Sequence, residues 1–181
     1  MKCKNFFKTM AAAICAASLL MTGCSSDKAA GDTIKIGAIG EMTGGNASYG
    51  TSMMRGFNMA VKEINANGGI NGKKIALVEA DTKSEPAEAA NAMSKLINQD
   101  KVSMVAGIFT SSSAIAACNI SETAKIPYLA IGATNPSVTV AKDGSTKPNT
   151  FRVCFIDPFQ GTVGANFVSN ELKAKTAALY I

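Results

Sequence analysis

Histidine and tryptophan are both missing from this chain of 181 residues. Without histidine the usual general base for a serine or cysteine nucleophile is absent. Ser-His-Asp and Cys-His sites are therefore excluded within the chain, as are zinc sites built on histidine. No G-x-G-x-x-G or Walker A pattern occurs: the closest stretch runs Gly37-Ala-Ile-Gly40-Glu-Met-Thr-Gly44-Gly45. Glu41 inside it would also repel a phosphate, so no nucleotide or other cofactor is expected. An excess of charge is nearly absent too. The formal net charge is +5, but three of the eighteen basic residues are Lys2, Lys4 and Lys8, ahead of all thirteen acidic ones. The remainder is close to balanced, which argues against a nucleic-acid surface.

What is present begins with the leader. The three lysines precede an apolar run over residues 10–21 of about 12 residues, well short of the roughly 20 a spanning helix needs. Thr22 and Gly23 then lead into Cys24. A basic segment, a short apolar one and small residues make a secretory signal over 1–23. The cysteine directly after it resembles the bacterial lipobox, in which the thiol is acylated and becomes the new N-terminus. The chain is thus expected outside the cytoplasm, tethered to a membrane through Cys24. Residues 24–32 are small and polar and read as a flexible tether. Of the five cysteines only Cys118 and Cys154 remain for the folded part. They read as buried free thiols, with a disulfide between them left open.

From Thr33 onward strand and helix alternate. Short apolar segments at 34–39, 74–80, 102–106, 126–131 and 151–155 read as strands. Helices are expected over 51–66, from Ser84 through Ile97, over 111–124 and over 158–173, with a last strand at 176–181. In the first helix Met53, Phe57, Val61 and Ile64 recur every three or four residues and make one core-facing stripe. Asn67-Gly68-Gly69 stops it. The pattern predicts an α/β fold: a doubly wound parallel sheet, strand order 2-1-3-4, covered on both faces. A helix and strand after Asp157 cannot bury themselves, so the chain is expected to be the front part of a longer protein.

In such a sheet ligands lie beyond the carboxyl ends of the strands at the switch point. This brings three loops, 40–50, 107–113 and 132–136, around one crevice. Ser111-Ser112-Ser113 opens a helix there, where unpaired N–H groups and the helix dipole favour an anion such as a carboxylate. Plain helix capping by one serine is the alternative. Thr134 would add a hydroxyl from the neighbouring loop. Tyr49, in a loop of small residues, would either pack on a ligand or pack its own loop. The methionines in helices read as core, and Asp81 as a turn cap.

Taken in order, Ile34-Lys-Ile-Gly-Ala-Ile-Gly40, Tyr49-Gly50, Glu63-Ile-Asn-Ala-Asn-Gly-Gly-Ile-Asn-Gly72, Gly107-Ile-Phe-Thr-Ser-Ser-Ser113, Gly132-Ala-Thr-Asn-Pro136 and Phe151-Arg152 with Asp157, Gln160 and Gly161 form a specific combination. It resembles the branched-chain amino-acid-binding proteins, the type I periplasmic binding proteins that serve ABC importers. The resemblance covers 33–181. It implies two α/β lobes that close on a ligand, with lobe one over 33–153 and the start of lobe two over 154–181. Ser111, with Ser112 beside it, would hold the ligand carboxylate, and Thr134 would assist. Gly132 and Ala133 would offer a carbonyl to the ammonium, and Tyr49 would lie near the side-chain pocket. Lobe-two ligand residues would lie past Ile181.

The implied function is a lipid-anchored, non-enzymatic solute-binding protein. It would capture an amino acid and deliver it to an ABC permease in the membrane. A sensor of the same fold, an enzyme on a Rossmann-like sheet and a non-functional truncated frame are the alternatives.

Overall fold

The computed structural model describes residues 33–178. The leader, Cys24, the tether and residues 179–181 lie outside the described residues.

Five strands form one fully parallel sheet in the order β2-β1-β3-β4-β5. β1 is Thr33–Gly40, β2 Lys74–Asp81, β3 Met104–Gly107, β4 Tyr128–Ala130 and β5 Thr150–Arg152. The expected order holds, and β5 joins it beyond β4. β1 pairs with β2 over its whole length and with β3 through Ile36 to Ile39, so β1 and β3 flank the point where the winding reverses.

The helices follow from simple patterns. α1 (Ala47–Ala66) starts four residues ahead of the expected Thr51 and draws Tyr49 and Gly50 into its first turns. α2 (Pro86–Asn98) starts on proline, whose missing N–H costs nothing at that position. Its residues Ala89, Met93, Leu96 and Ile97 are buried on one stripe. α3 (Ser111–Ala124) buries only small side chains, Ser113, Ala114, Ala117, Cys118 and Ser121, and so packs closely. Its last turn ends on Lys125 in the left-handed region, φ 55°. Right-handed crossovers put α2 and α3 on one face of the sheet and α1 on the other. The core lies under α2 and α3, around Ile39, Met93, Leu96, Val105, Ile108, Cys118, Tyr128 and Val138.

Several expectations need correction. On α1 only Gly50 and Met54 are buried; Met53, Phe57 and Val61 are half-buried and Ile64 is exposed. The last helix, α4, is Asp157–Asn166 and continues as a wider π-type turn over Phe167–Glu171. It buries nothing, and Phe159, Val163 and Phe167 line an uncovered stripe. Residues 176–178 carry no strand, and pairing at the sheet edge ends at Arg152 rather than Phe155. Cys118 and Cys154 are both free, the first buried and the second half-buried rather than core.

Candidate functional site

Three loops leave the carboxyl ends of β1, β3 and β4 side by side, and each is held by a different device. The loop after β1 is pinned by Asp81 at the end of β2. Its carboxylate accepts from the Met42 N–H (2.9 Å), the Thr43 N–H (3.2 Å), the Thr43 hydroxyl (2.6 Å) and the Lys83 N–H (2.8 Å). Partial burial alone would raise its pKa. The hydrogen bonds outweigh that and hold it below the usual 3.8. Asp81 is thus the turn cap expected of it.

The loop after β3 turns on Gly107. Its φ of +136° and its approach to β1 leave no room for a side chain: a Cβ there would lie 1.8 Å from the Ile39 carbonyl oxygen. Ile108 follows in the left-handed region at φ 58°, unusual and strained for a β-branched residue. Its N–H donates to Ile39 O (2.8 Å), and its side chain is fully buried. Glu41 then holds the next two residues. Its carboxylate accepts from the Phe109 N–H (3.1 Å), the Thr110 N–H (3.0 Å) and the Thr110 hydroxyl (2.7 Å), with no exposed surface of its own.

This arrangement decides how α3 begins. Thr110 occupies the cap position; its hydroxyl donates to Glu41, and its side chain makes no capping bond. None of the three serine hydroxyls makes a capping bond among the described residues. The first intrahelical bond runs from the Ala114 N–H to Thr110 O (3.0 Å). Among the described residues the N–H groups of Ser111, Ser112 and Ser113 have no backbone acceptor at the positive end of the dipole. Ser111 is half-buried and Ser112 exposed, while the Ser113 hydroxyl is buried with no partner among the described residues.

The loop after β4 is tied to the serine run. The Asn135 N–H donates to the Ser111 Oγ (3.2 Å), so the Ser111 hydroxyl proton is free to donate elsewhere. On its other side the loop is clamped by Arg152 of β5. The guanidinium donates to Ala133 O (3.0 Å), Asn135 O (3.0 Å), Pro136 O (3.2 Å) and the Thr139 Oγ1 (2.6 Å). Lys147 bonds the next two carbonyls, Ser137 O (2.7 Å) and Val138 O (3.2 Å). Thr134 is half-buried on this loop, and its carbonyl accepts from the Asp157 N–H (3.2 Å).

Two expectations shift in detail. Tyr49 lies in the first turn of α1, not in a loop, and it packs on a neighbouring loop rather than its own. Its ring stacks on Phe109, centroids 4.3 Å apart and planes 7° from parallel. Phe109 in turn lies against Gly132, where a Cβ would come within 2.3 Å of its ring. Both rings stay partly open, Tyr49 52% and Phe109 38% exposed. The Ala133 carbonyl already accepts from Arg152, while the Gly132 carbonyl has no partner among the described residues. Phe109, Glu41 and Arg152 were not singled out from sequence as parts of the site. A lone acid directly after an apolar strand and a lone cation inside one were the available signals. Glu41 also adds, with Cys118, to the burial that pushes the Tyr128 phenol well above its usual 10.0. A separate concavity of about 560 Å³ beside Ile115, Asn119 and Val140 lies against the 137–147 segment. The bonded Lys147 lines it, and none of the three loops does.

A crevice at a parallel-sheet switch point is shared by many folds, so comparison with known proteins decides the family. The family model described as periplasmic binding protein matches residues 33–180. The chain belongs to the periplasmic binding protein family. Among curated members, an amino acid binding protein of Pseudomonas aeruginosa is 43% identical over 146 residues, 81% of this chain and 38% of that one. Among solved structures of the family, the substrate-binding protein of a branched-chain amino acid transporter from Streptococcus pneumoniae, in complex with isoleucine, superposes with a TM-score of 0.72 at 43% identity. It covers 79% of this chain and 40% of that one. A solute-binding protein of an ABC transporter from R. palustris, in complex with 4-hydroxybenzoate, gives a TM-score of 0.64 at 32% identity, over 80% of this chain and 37% of that one. The chain thus spans about two fifths of the periplasmic binding proteins it matches.

Proposed function

We propose that this chain is the amino-terminal portion of an extracytoplasmic solute-binding protein that captures amino acids, branched-chain ones foremost, for an ABC importer. One observation carries the reading. The N-terminus of α3 presents three unpaired N–H groups and the Ser111 hydroxyl beside the Thr134 loop, and the two loops are tied together through Asn135 and Ser111. Such a cluster suits a carboxylate. In this reading Ser111, Ser112 and Thr134 hold the carboxylate, Gly132 offers its carbonyl to the ammonium, and Tyr49 with Phe109 walls the side chain.

Residues 33–153 would form the first lobe. The uncovered apolar stripe on α4 fits a second lobe starting near residue 154. Closure of the two lobes on a zwitterion would require tighter binding to the closed state, followed by delivery to a membrane permease. Export by the 1–23 signal and lipid attachment at Cys24 complete the proposal. Loss of membrane association in Cys24→Ser would support the anchor, and unchanged association would remove it.

A plain aromatic acid is the second reading. It is favoured by the partly open Tyr49–Phe109 stack and by the relative that holds 4-hydroxybenzoate. Calorimetric titration of the full-length protein with leucine and with 4-hydroxybenzoate separates the two. Tight leucine binding by the full-length protein, with weak or no binding by residues 24–181, is expected. Equally tight binding by residues 24–181 alone would refute capture between two lobes.

A further inference from the structure

Glu41 carries more charge than holding a loop requires. A neutral acceptor could receive the Phe109 and Thr110 donors, yet a carboxylate stands there, fully buried. It belongs to neither of the two ion pairs among the described residues, Lys83–Glu88 and Lys95–Asp100. Arg152 is engaged with four oxygens of the 133–139 segment and makes no bond to Glu41 among the described residues.

The position matters because Thr110 directly precedes Ser111. The buried charge therefore stands at the end of α3 where a ligand carboxylate would dock. In a water-poor site a charge acts over several ångströms with little screening. The Tyr128 phenol, raised first by its own burial, is raised further by its neighbours Cys118 and Glu41. Glu41 has also consumed the Phe109 and Thr110 N–H groups, two donors an incoming anion would otherwise use.

Two ligands with the same carboxylate and side chain meet different fields here. A plain acid brings an uncompensated negative charge beside Glu41. An α-amino acid brings an ammonium one carbon away from its carboxylate, and that charge offsets the buried one. Resting on the reading of this crevice as a carboxylate site, we propose that Glu41 makes it select α-amino acids over plain carboxylic acids. The relative with bound 4-hydroxybenzoate indicates that the fold alone does not impose that choice.

The test uses the full-length protein and two probes, leucine and isocaproate, which is leucine without its amino group. Calorimetry on the parent should show leucine bound and isocaproate bound far more weakly. In Glu41→Gln the preference should narrow by about tenfold or more, mainly through a gain for isocaproate. Glu41→Asp keeps the charge and should keep the preference. If Glu41→Gln does not fold, Glu41→Ala, with water in the vacated space, provides the same comparison. A variant that loses both ligands in equal proportion overturns the proposal, since Glu41 would then only build the loop. A parent that binds isocaproate as tightly as leucine also overturns it, while leaving the carboxylate site standing. A parent that binds neither removes the reading of the crevice and the proposal with it.

Discussion

Replacing Arg152 with methionine keeps the aliphatic stem and removes the guanidinium, which isolates the clamp. Four oxygens lose a charged donor: the carbonyls of Ala133, Asn135 and Pro136 and the Thr139 hydroxyl. Hydrogen bonds to a charged partner contribute about 1.5–3 kcal/mol each when water cannot replace them. Water cannot easily reach Ala133, which is fully buried, so its bond counts in full at about 2 kcal/mol. The other three acceptors lie on half-buried residues, where water offsets most of the loss, leaving about 0.5 kcal/mol each. Freeing a long side chain returns up to about 2 kcal/mol of rotamer entropy. The net loss is then about 1.5 kcal/mol, or roughly 3–6 °C in Tm for a domain of this size. Urea unfolding with an unchanged m-value should report it. Amide exchange at Asn135, whose N–H bonds Ser111, should quicken in parallel. A stability change under about 0.5 kcal/mol, with Asn135 exchanging as before, would show that solvent holds this loop as well as Arg152 does.

Asp81→Asn should destabilise the protein near neutral pH and matter little in acid. The folded-state pKa lies below the usual 3.8, so the carboxylate's contribution is present above that value and fades as the pH falls through the depressed one. Parent and variant midpoints measured from pH 7 down to pH 2.5 should converge below about pH 4; a constant gap would contradict the assignment. Gly107→Ala forces a Cβ to within 1.8 Å of the Ile39 carbonyl at φ +136°, and should cost more than about 4 kcal/mol. Insoluble or protease-sensitive product is the expected result, and a soluble variant with parental Tm would be the contrary one. Phe109→Ala removes the ring between Tyr49 and Gly132 and should weaken ligands with apolar side chains more than alanine in a binding series. An equal loss for alanine and leucine would place the ring outside the side-chain pocket.

The sheet was legible because its signals are local. β-branched runs such as Ile34–Ile39 and the helix-stopping Asn67-Gly68-Gly69 depend on near neighbours alone, and right-handed crossovers do the rest. The start of α3 at Ser111 was legible for the same reason. What the serines do there was not. The loop that leads into them is held by Glu41, whose partners Phe109 and Thr110 are 68 and 69 residues away. Nothing in spacing announces such a bond. Arg152 is the same case: its clamp joins β5 to a loop formed earlier in the chain. Tyr49 was misplaced by one helical turn because Asn46-Ala47-Ser48 reads equally well as loop or as first turn. The half-buried stripe of α1 shows the limit of periodicity, which says which face should be covered but not how completely.

The central claim is that Ser111 and Thr134, on two loops tied through Asn135, grip the carboxylate of an amino acid. Titration of leucine into the full-length protein carrying Ser111→Ala and Thr134→Ala together tests it most directly. Two hydrogen bonds to a charged group are at stake, so affinity should fall about a hundredfold or more while the fold survives. Retention of parental affinity in that double variant would contradict the account.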